Sequence, residues 1–160
     1  KSFVAIDMAM SIATGLPYHG RSVEQGLVIM CVGEGHSGMP ARCESWCSHH
    51  SVCKSEAKLA VTDRAADLFN ETYVERFYEE VKVLIEKFGP PQLIVIDTLA
   101  RHMPGMDENS AKDMGSLIQI ADTLKQEFNC SIMFVHHTGL ANHDRARGSS
   151  AFKAALDTEI

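Results

Sequence analysis

The sequence predicts an α/β fold with a mostly parallel sheet and helices on both of its faces. Its three clearest strands, LVIMCV, LIVID and CSIMFV, are continuous apolar runs, which is typical of strands covered on both faces. These strands alternate along the chain with segments of helical periodicity, as they do where crossover helices join parallel strands. A chain of 160 residues with 45% hydrophobic side chains is long enough to bury such a core.

Helical periodicity predicts five helices, and these are separated by turn residues and strands. The first is apolar nearly all round and ends at Gly15 and Pro17. The third is clearly amphipathic and stops at Gly89 and Pro90. Residues 51–72 are the least readable segment and have room for one short strand. The helices are expected at about 3–14, 39–50, 71–88, 111–128 and 149–155.

A group of cysteines and histidines between Cys43 and Cys53 raises the question of a metal site. Its spacing, C-x3-C-x-H-H-x2-C, is irregular, whereas zinc sites use paired short knuckles. The segment ARCESWCSHH also fits an ordinary amphipathic helix, whose one stripe contains Cys43, Trp46, Cys47 and His50. The helix is the preferred interpretation, and structural zinc in an interaction module is the alternative. The odd number of cysteines, five, is typical of a reducing compartment.

Charge and hydropathy argue against two classes of protein. No stretch approaches 18 uninterrupted apolar residues, so no transmembrane helix is predicted, and the first residues do not form a signal-peptide pattern. A cytoplasmic setting is therefore expected. The formal net charge of -6 argues against a freestanding, strongly basic nucleic-acid binder. It is compatible with a protein that contacts DNA through a few loops of an oligomer.

Polar side chains follow all three clear strands. Because the carboxyl ends of parallel strands meet at one edge of a sheet, and ligands bind there, we expect these side chains to line one site. A buried carboxylate at the end of such a strand, Asp97, also needs a partner that compensates its charge. The side chains are Glu34, Asp97, Thr98, His136 and His137.

The Lys1–Ser2 pair, followed at once by an apolar helix, matches the end of the phosphate-binding pattern G-x-x-x-x-G-K-[ST]. The pair alone is a weak signal, and it gains weight from the buried strand that ends in Asp97. In this interpretation Lys1 reaches the β- and γ-phosphates of ATP and the Ser2 hydroxyl binds Mg²⁺. The helix start offers N–H groups to the phosphates. Asp97 then faces the Mg²⁺ through water, which compensates its charge.

Hydrolysis also needs a group that orients or deprotonates the attacking water. Many ATPases carry a glutamate directly after the strand-end aspartate, but Thr98 stands there in this chain. Glu34, at the end of the neighbouring strand, is the favoured catalytic base, and the alternative is a loop glutamate between two turn glycines. Arg101 either stabilises this site or pairs with Asp107 or Glu108.

Five stretches of the chain together resemble a known family. They are KSFVAIDMAMSIATG, VGEG, LIVIDTLAR, CSIMFVHHTG and DRARGSSAFKAALDTEI, and they cover nearly the whole chain in the family's order. The chain resembles the RecA-like P-loop ATPases of the AAA_25 group, close to the RepA-type replicative helicases of plasmids and phages. HHTG followed by RGSS at this spacing is the most specific match. The resemblance implies a three-layer core and ATP hydrolysis at the subunit interfaces of a hexameric ring on single-stranded DNA, in a bacterium or its phage.

The resemblance also implies roles for single residues. Lys1 and Ser2 map to the end of the Walker A motif, Glu34 to the catalytic base and Asp97 to the Walker B motif. His137 maps to the position that senses the γ-phosphate and relays it to DNA-binding loops.

Arg147, in the RARGSS stretch, is implied as an arginine finger that reaches the ATP of a neighbouring subunit. Its alternatives are a solvated loop charge and a contact with nucleic-acid phosphate. Thr98 and His136 are expected to contact the nucleotide beside Asp97 and His137.

The family's first strand and P-loop glycines would precede Lys1, and the closing LDTEI resembles the start of another strand. Residues 1–160 are therefore expected to form one RecA-like ATPase domain, truncated at both ends, that binds ATP poorly alone. Two other functions stay open. A recombinase-like ATPase dependent on single-stranded DNA is disfavoured because loops 101–113 and 139–147 lack Phe, Tyr and Trp for base stacking. The second open function is a nucleotide-binding regulatory switch without productive hydrolysis.

Overall fold

The computed structural model describes residues 1–137 and 150–160. Within them, the strands are β1 (Leu27–Val32), β2 (Leu59–Val61), β3 (Pro91–Asp97) and β4 (Ser131–Val135). The α-helices are α1 (Ser2–Thr14), α2 (Met39–His50), α3 (Glu71–Phe88), α4 (Ala111–Phe128) and α5 (Ser150–Ala154). The strands form one sheet of order β2-β1-β3-β4, in which every neighbouring pair is parallel.

The helix ends follow local signals in the sequence. Before α3 the side chain of Asn70 accepts the N–H of Tyr73 (3.0 Å), and before α4 the hydroxyl of Ser110 accepts the N–H of Asp113 (3.2 Å). After α1, Gly15 adopts a left-handed conformation with φ of 77°, which glycine reaches without strain. The predicted helices at 39–50, 71–88 and 111–128 are therefore confirmed with their ends, and residues 51–72 contain the short strand β2.

Side chains of the strands alternate between the two faces of the sheet, and helices cover both faces. One face packs against α1 and α2, and its buried strand residues are Val28, Met30, Val32, Leu93, Val95 and Val135. The other packs against α3, α4 and α5, and its buried strand residues are Leu27, Ile29, Cys31, Ile94 and Ile96. Burying each such aliphatic side chain contributes about 1.5–3 kcal/mol. The predicted α/β fold with a covered parallel sheet is confirmed.

The cysteine- and histidine-rich segment is a helix, as the preferred interpretation predicts. Cys43 and Cys47 lie on the buried side of α2 and pack into the core beneath the sheet, while Cys53 is exposed and its Sγ lies 2.9 Å from the Ser55 hydroxyl. Across residues 1–137 and 150–160, no group of three or more His, Cys, Asp or Glu side chains is arranged to hold a metal ion.

Helix α1 is less uniformly buried than its apolar sequence predicts. Phe3 is 70% exposed and Val4 is 49% exposed, whereas Ala9 and Ala13 on the opposite side are fully buried. The guanidinium of Arg42 lies 5.1 Å from the centre of the Phe3 ring, within cation–π range. No described helix is both long and apolar enough to cross a membrane.

Candidate active site

The carboxyl ends of three neighbouring strands lie side by side. Val32 of β1 pairs with Asp97 of β3, and Asp97 pairs in turn with Val135 of β4. Since all three strands are parallel, Glu34, Thr98 and the two histidines that follow β4 leave the sheet at the same edge. The predicted convergence of polar strand ends is present in the structure. We call this region, formed by residues 33–34, 97–102 and 136–137, the strand-end edge.

The beginning of α1 meets the strand-end edge through Lys1. Its ammonium group donates a hydrogen bond to the backbone carbonyl of His136 (2.7 Å). The first helical hydrogen bond of α1 runs from the N–H of Ala5 to the carbonyl of Lys1 (3.1 Å). The N–H groups before Ala5 therefore have no acceptor within the helix, and a helix start of this kind favours anions. The structure thus brings Lys1 and Ser2 to the same edge as the strand-end side chains.

Asp97 is an acid in a buried position with an unsatisfied oxygen. It is 5% exposed, and its Oδ1 has no hydrogen-bond partner among the described residues. Leaving a charged oxygen buried and unpaired is unfavourable unless a further group binds it. An oxygen donor of this kind fits Mg²⁺, which binds proteins through one or two carboxylates and keeps several waters. Asp97 is therefore compatible with a magnesium site, for which the hydroxyls of Ser2 and Thr98 are further candidate ligands.

Glu34 forms an ion pair across the strand-end edge. Arg101 Nε donates to Glu34 Oε1 at 2.6 Å, and the two side chains are 60% and 55% exposed. This hydrogen bond, and then the charge of Arg101, hold the pKa of the Glu34 carboxyl below its ordinary value, and the charge of His137 lowers it further. Glu34 is therefore a carboxylate at neutral pH, and His137 lies close enough to act on it electrostatically.

The backbone of the Glu34 loop is fixed to β3 next to this pair. Gly33 donates its N–H to the carbonyl of Asp97 (2.5 Å). A Cβ atom at Gly33 would lie only 2.4 Å from the Cβ of Arg101, so the arginine stem packs directly on the glycine backbone. Glycine is therefore needed here because two loops approach closely, which explains the first glycine of the VGEG stretch.

His102 is a further buried residue at the strand-end edge, and it was not among the predicted site residues. It is fully buried, its Nδ1 lies 2.8 Å from the Ala66 nitrogen and 3.1 Å from the Ala66 carbonyl oxygen, and its Nε2 lies 3.4 Å from the Asp97 carbonyl oxygen. Burial lowers the pKa of His102 and keeps the imidazole neutral. The spacing of the buried residues Leu99, His102 and Met103 is that of one helical turn, and this was the signal available in the sequence.

The other predicted site residues are distributed as follows. His136 is half-buried, its carbonyl binds Lys1, and its ring lies edge-on to Phe152 of α5 at 5.9 Å between ring centres. His137 is exposed at the end of β4. Arg147 lies outside the described residues, so its arginine-finger role stays a prediction. Arg101 contacts Glu34, which decides the open question of its partner in favour of the site.

Comparison with protein families identifies the chain. The AAA_25 family, described as an AAA domain, matches residues 1–143. A search of curated proteins finds no match for this sequence. The family match agrees with the parallel α/β core and implies nucleotide binding, generally with Mg²⁺. The chain is therefore a member of the AAA_25 family of P-loop ATPases.

Proposed function

We propose that the chain is the ATP-hydrolysing motor domain of a DNA-acting protein, specifically a replicative helicase that works as a hexameric ring. The observation that carries the ATPase part is the register of Val32, Asp97 and Val135 at the carboxyl ends of three parallel strands. With this register, Glu34, the buried carboxylate of Asp97 and His137 lie at one edge of the sheet, beside the amino end of α1.

In this proposal the residues around the start of α1 bind the nucleotide. Lys1 leaves the His136 carbonyl, which it contacts here, and binds the β- and γ-phosphates with the free N–H groups of the first turn. Ser2 and Asp97 would hold Mg²⁺, and Thr98 and His136 would line the nucleotide. The ion, when bound, neutralises charge on the phosphate oxygens.

Glu34 acts as the base in this mechanism. Its carboxylate accepts the proton of the attacking water, and that water attacks the γ-phosphorus while the β–γ bridging oxygen leaves with ADP. Arg101 holds the pKa of Glu34 below its ordinary value, so the carboxylate is deprotonated before each turnover. His137, whose charge acts on Glu34, is in a suitable position to sense the γ-phosphate and transmit its state to the loop that follows.

The DNA and ring parts of the proposal rest on sequence resemblance. The HHTG stretch begins at His136, at the strand-end edge, and RGSS follows at the family's spacing. In a ring, Arg147 would reach the ATP of the neighbouring subunit and stabilise the charge that develops during phosphoryl transfer. Single-stranded DNA is the proposed partner, contacted by the loops after β3 and β4.

The test is ATP turnover of the full-length protein with and without single-stranded DNA, together with its molecular mass in solution. We expect turnover that depends on Mg²⁺, rises when single-stranded DNA is added, and comes from a hexamer that separates duplexes with a single-stranded tail. Turnover without stimulation by DNA would contradict the helicase assignment. Stimulation on extended filaments instead of rings would favour the recombinase-like alternative, and binding of ATP without turnover would favour the regulatory switch.

A further inference from the structure

The ion pair between Arg101 and Glu34 joins two segments that are distant in sequence. The residues are 67 positions apart, and the contact crosses from the loop after β1 to the turn after β3. The guanidinium engages one carboxylate oxygen, Oε1, and the other oxygen makes no hydrogen bond to the described residues. One oxygen of Glu34 is therefore fixed while the second is available to another group.

Arg101 is held in place by its surroundings and not only by Glu34. Its N–H donates to the Thr98 carbonyl (3.0 Å) within a short 3-10 helix, Leu99–His102, whose first and last residues are fully buried. The arginine stem packs on Gly33, where a Cβ would leave no space. The backbone and the stem of Arg101 are therefore held in place, although its guanidinium, which contacts Glu34, is exposed.

Stability does not explain this arrangement. An exposed pair of this kind contributes little to folding because water screens the charges and ordering two long side chains is unfavourable. A base in catalysis, by contrast, depends on the position of its acceptor oxygen, and a small displacement lowers the rate strongly. A glutamate side chain that is more than half exposed gains most from such an external support.

We propose that Arg101 is a positioning residue that orients the Glu34 carboxylate for its work as the base. This inference rests on the proposed function. The contact lowers the basicity of Glu34 somewhat, and it restricts the carboxylate to an orientation in which the free oxygen accepts the proton of water. Arg101 itself acts through Glu34 and binds neither the phosphates nor the metal.

The test measures steady-state ATP turnover and the affinity for a non-hydrolysable ATP analogue with Mg²⁺ in the full-length protein. Arg101→Ala is expected to lower kcat by about 10- to 100-fold, as expected for a displaced catalytic group, while KM and the analogue Kd change less than about twofold. Arg101→Lys is expected to recover part of kcat, since an ammonium group still pairs with a single oxygen. Thermal unfolding verifies that both variants are folded.

Arg76→Ala is the matched control, because Arg76 makes the same Nε–Oε1 contact with Glu80 (2.8 Å) at similar exposure, and neither residue belongs to the strand-end edge. It should leave kcat unchanged. In the Glu34→Gln background, Arg101→Ala should cause no further loss, since the two residues act as a unit.

Separate outcomes contradict the inference and the proposed function. If Glu34→Gln removes turnover but Arg101→Ala leaves kcat unchanged, raises it, or weakens analogue binding instead, the inference is wrong and the ATPase proposal stands. The inference is also wrong if the two single losses of kcat multiply in full in the variant that carries both Glu34→Gln and Arg101→Ala. If Glu34→Gln keeps its turnover, or the protein has none, the proposed function fails and the inference fails with it.

Discussion

Two arginine–glutamate pairs with almost the same geometry lie in different regions of the molecule. Arg101 binds Glu34 at 2.6 Å at the strand-end edge, and Arg76 binds Glu80 at 2.8 Å on α3, beside the segment that follows β2. All four side chains are more than half exposed. By distance and exposure alone, the two pairs cannot be told apart.

The difference lies in what holds each pair. Arg76 and Glu80 are four residues apart on one helix, where neighbours on the same face meet as a consequence of helical geometry. Arg101 and Glu34 meet only because Gly33 binds the Asp97 carbonyl and leaves room for the arginine stem. A contact between distant loops, supported by a glycine where a Cβ would meet the arginine stem, is therefore better evidence of function than a short distance.

The largest effect is expected at Asp97, to which the Glu34 loop is attached. Asp97→Asn should lower Mg²⁺-dependent turnover by about 1,000-fold, because a catalytic metal supplies several kcal/mol of stabilisation. The same change should leave the unfolding temperature without nucleotide unchanged or raise it, since it removes a buried, unpaired charge. Turnover assays and thermal unfolding in EDTA measure the two effects.

Asp122→Asn on the exposed surface of α4 is the control for Asp97→Asn, and it should change neither quantity. A large fall in the unfolding temperature of Asp97→Asn in EDTA would show instead that the carboxylate has a structural partner. The metal assignment would then be wrong.

The second-largest effect is expected at Glu34, and it should distinguish Glu34 from Glu80 of the other pair. Glu34→Gln should lower kcat by about 100-fold, because the amide accepts no proton, and should keep the affinity for the ATP analogue. Glu80→Gln on α3 should leave kcat unchanged. Equal effects of the two substitutions would remove the distinction between the pairs, and with it the assignment of Glu34 as the base.

Much of this region was predictable because its signals are local. The apolar runs of β1, β3 and β4 end in polar residues, and parallel strands bring such ends to one edge, so Glu34, Asp97 and His137 were expected together. Apolar periodicity likewise predicted the starts of α3 and α4, which the structure shows capped by Asn70 and Ser110.

The contacts between the loops were not predictable, since they depend on how two segments approach each other. The sequence left Arg101 with three candidate partners, and only the approach of the Gly33 loop selects Glu34. His102 stands in a polar-looking stretch, yet it is fully buried because it links Ala66 to the Asp97 carbonyl. The exposure of Phe3 likewise depends on which face of α1 the sheet covers.

A smaller effect is expected when the support of the Arg101–Glu34 pair is disturbed and both partners are kept. Gly33→Ala introduces a Cβ that would lie 2.4 Å from the Cβ of Arg101, so the arginine stem has to move. We expect kcat to fall by about tenfold, less than in Glu34→Gln because the carboxylate remains and is only displaced. Steady-state turnover measures this change, and wild-type kcat would show that the close approach is unimportant for the reaction.

The smallest effect is expected when glycine is replaced by alanine on the surface of a helix. Gly115 lies within α4 on its exposed side, and a Cβ there meets no atom within 4 Å. Gly115→Ala should raise the free energy of unfolding by about 0.5–1 kcal/mol, because alanine loses less backbone entropy in a helix than glycine does. Denaturant unfolding and turnover assays should show a slightly more stable protein with unchanged kcat. If Gly115→Ala lowered kcat as Gly33→Ala is expected to do, the loss at Gly33 would reflect a general response to added methyl groups and not its contact with Arg101.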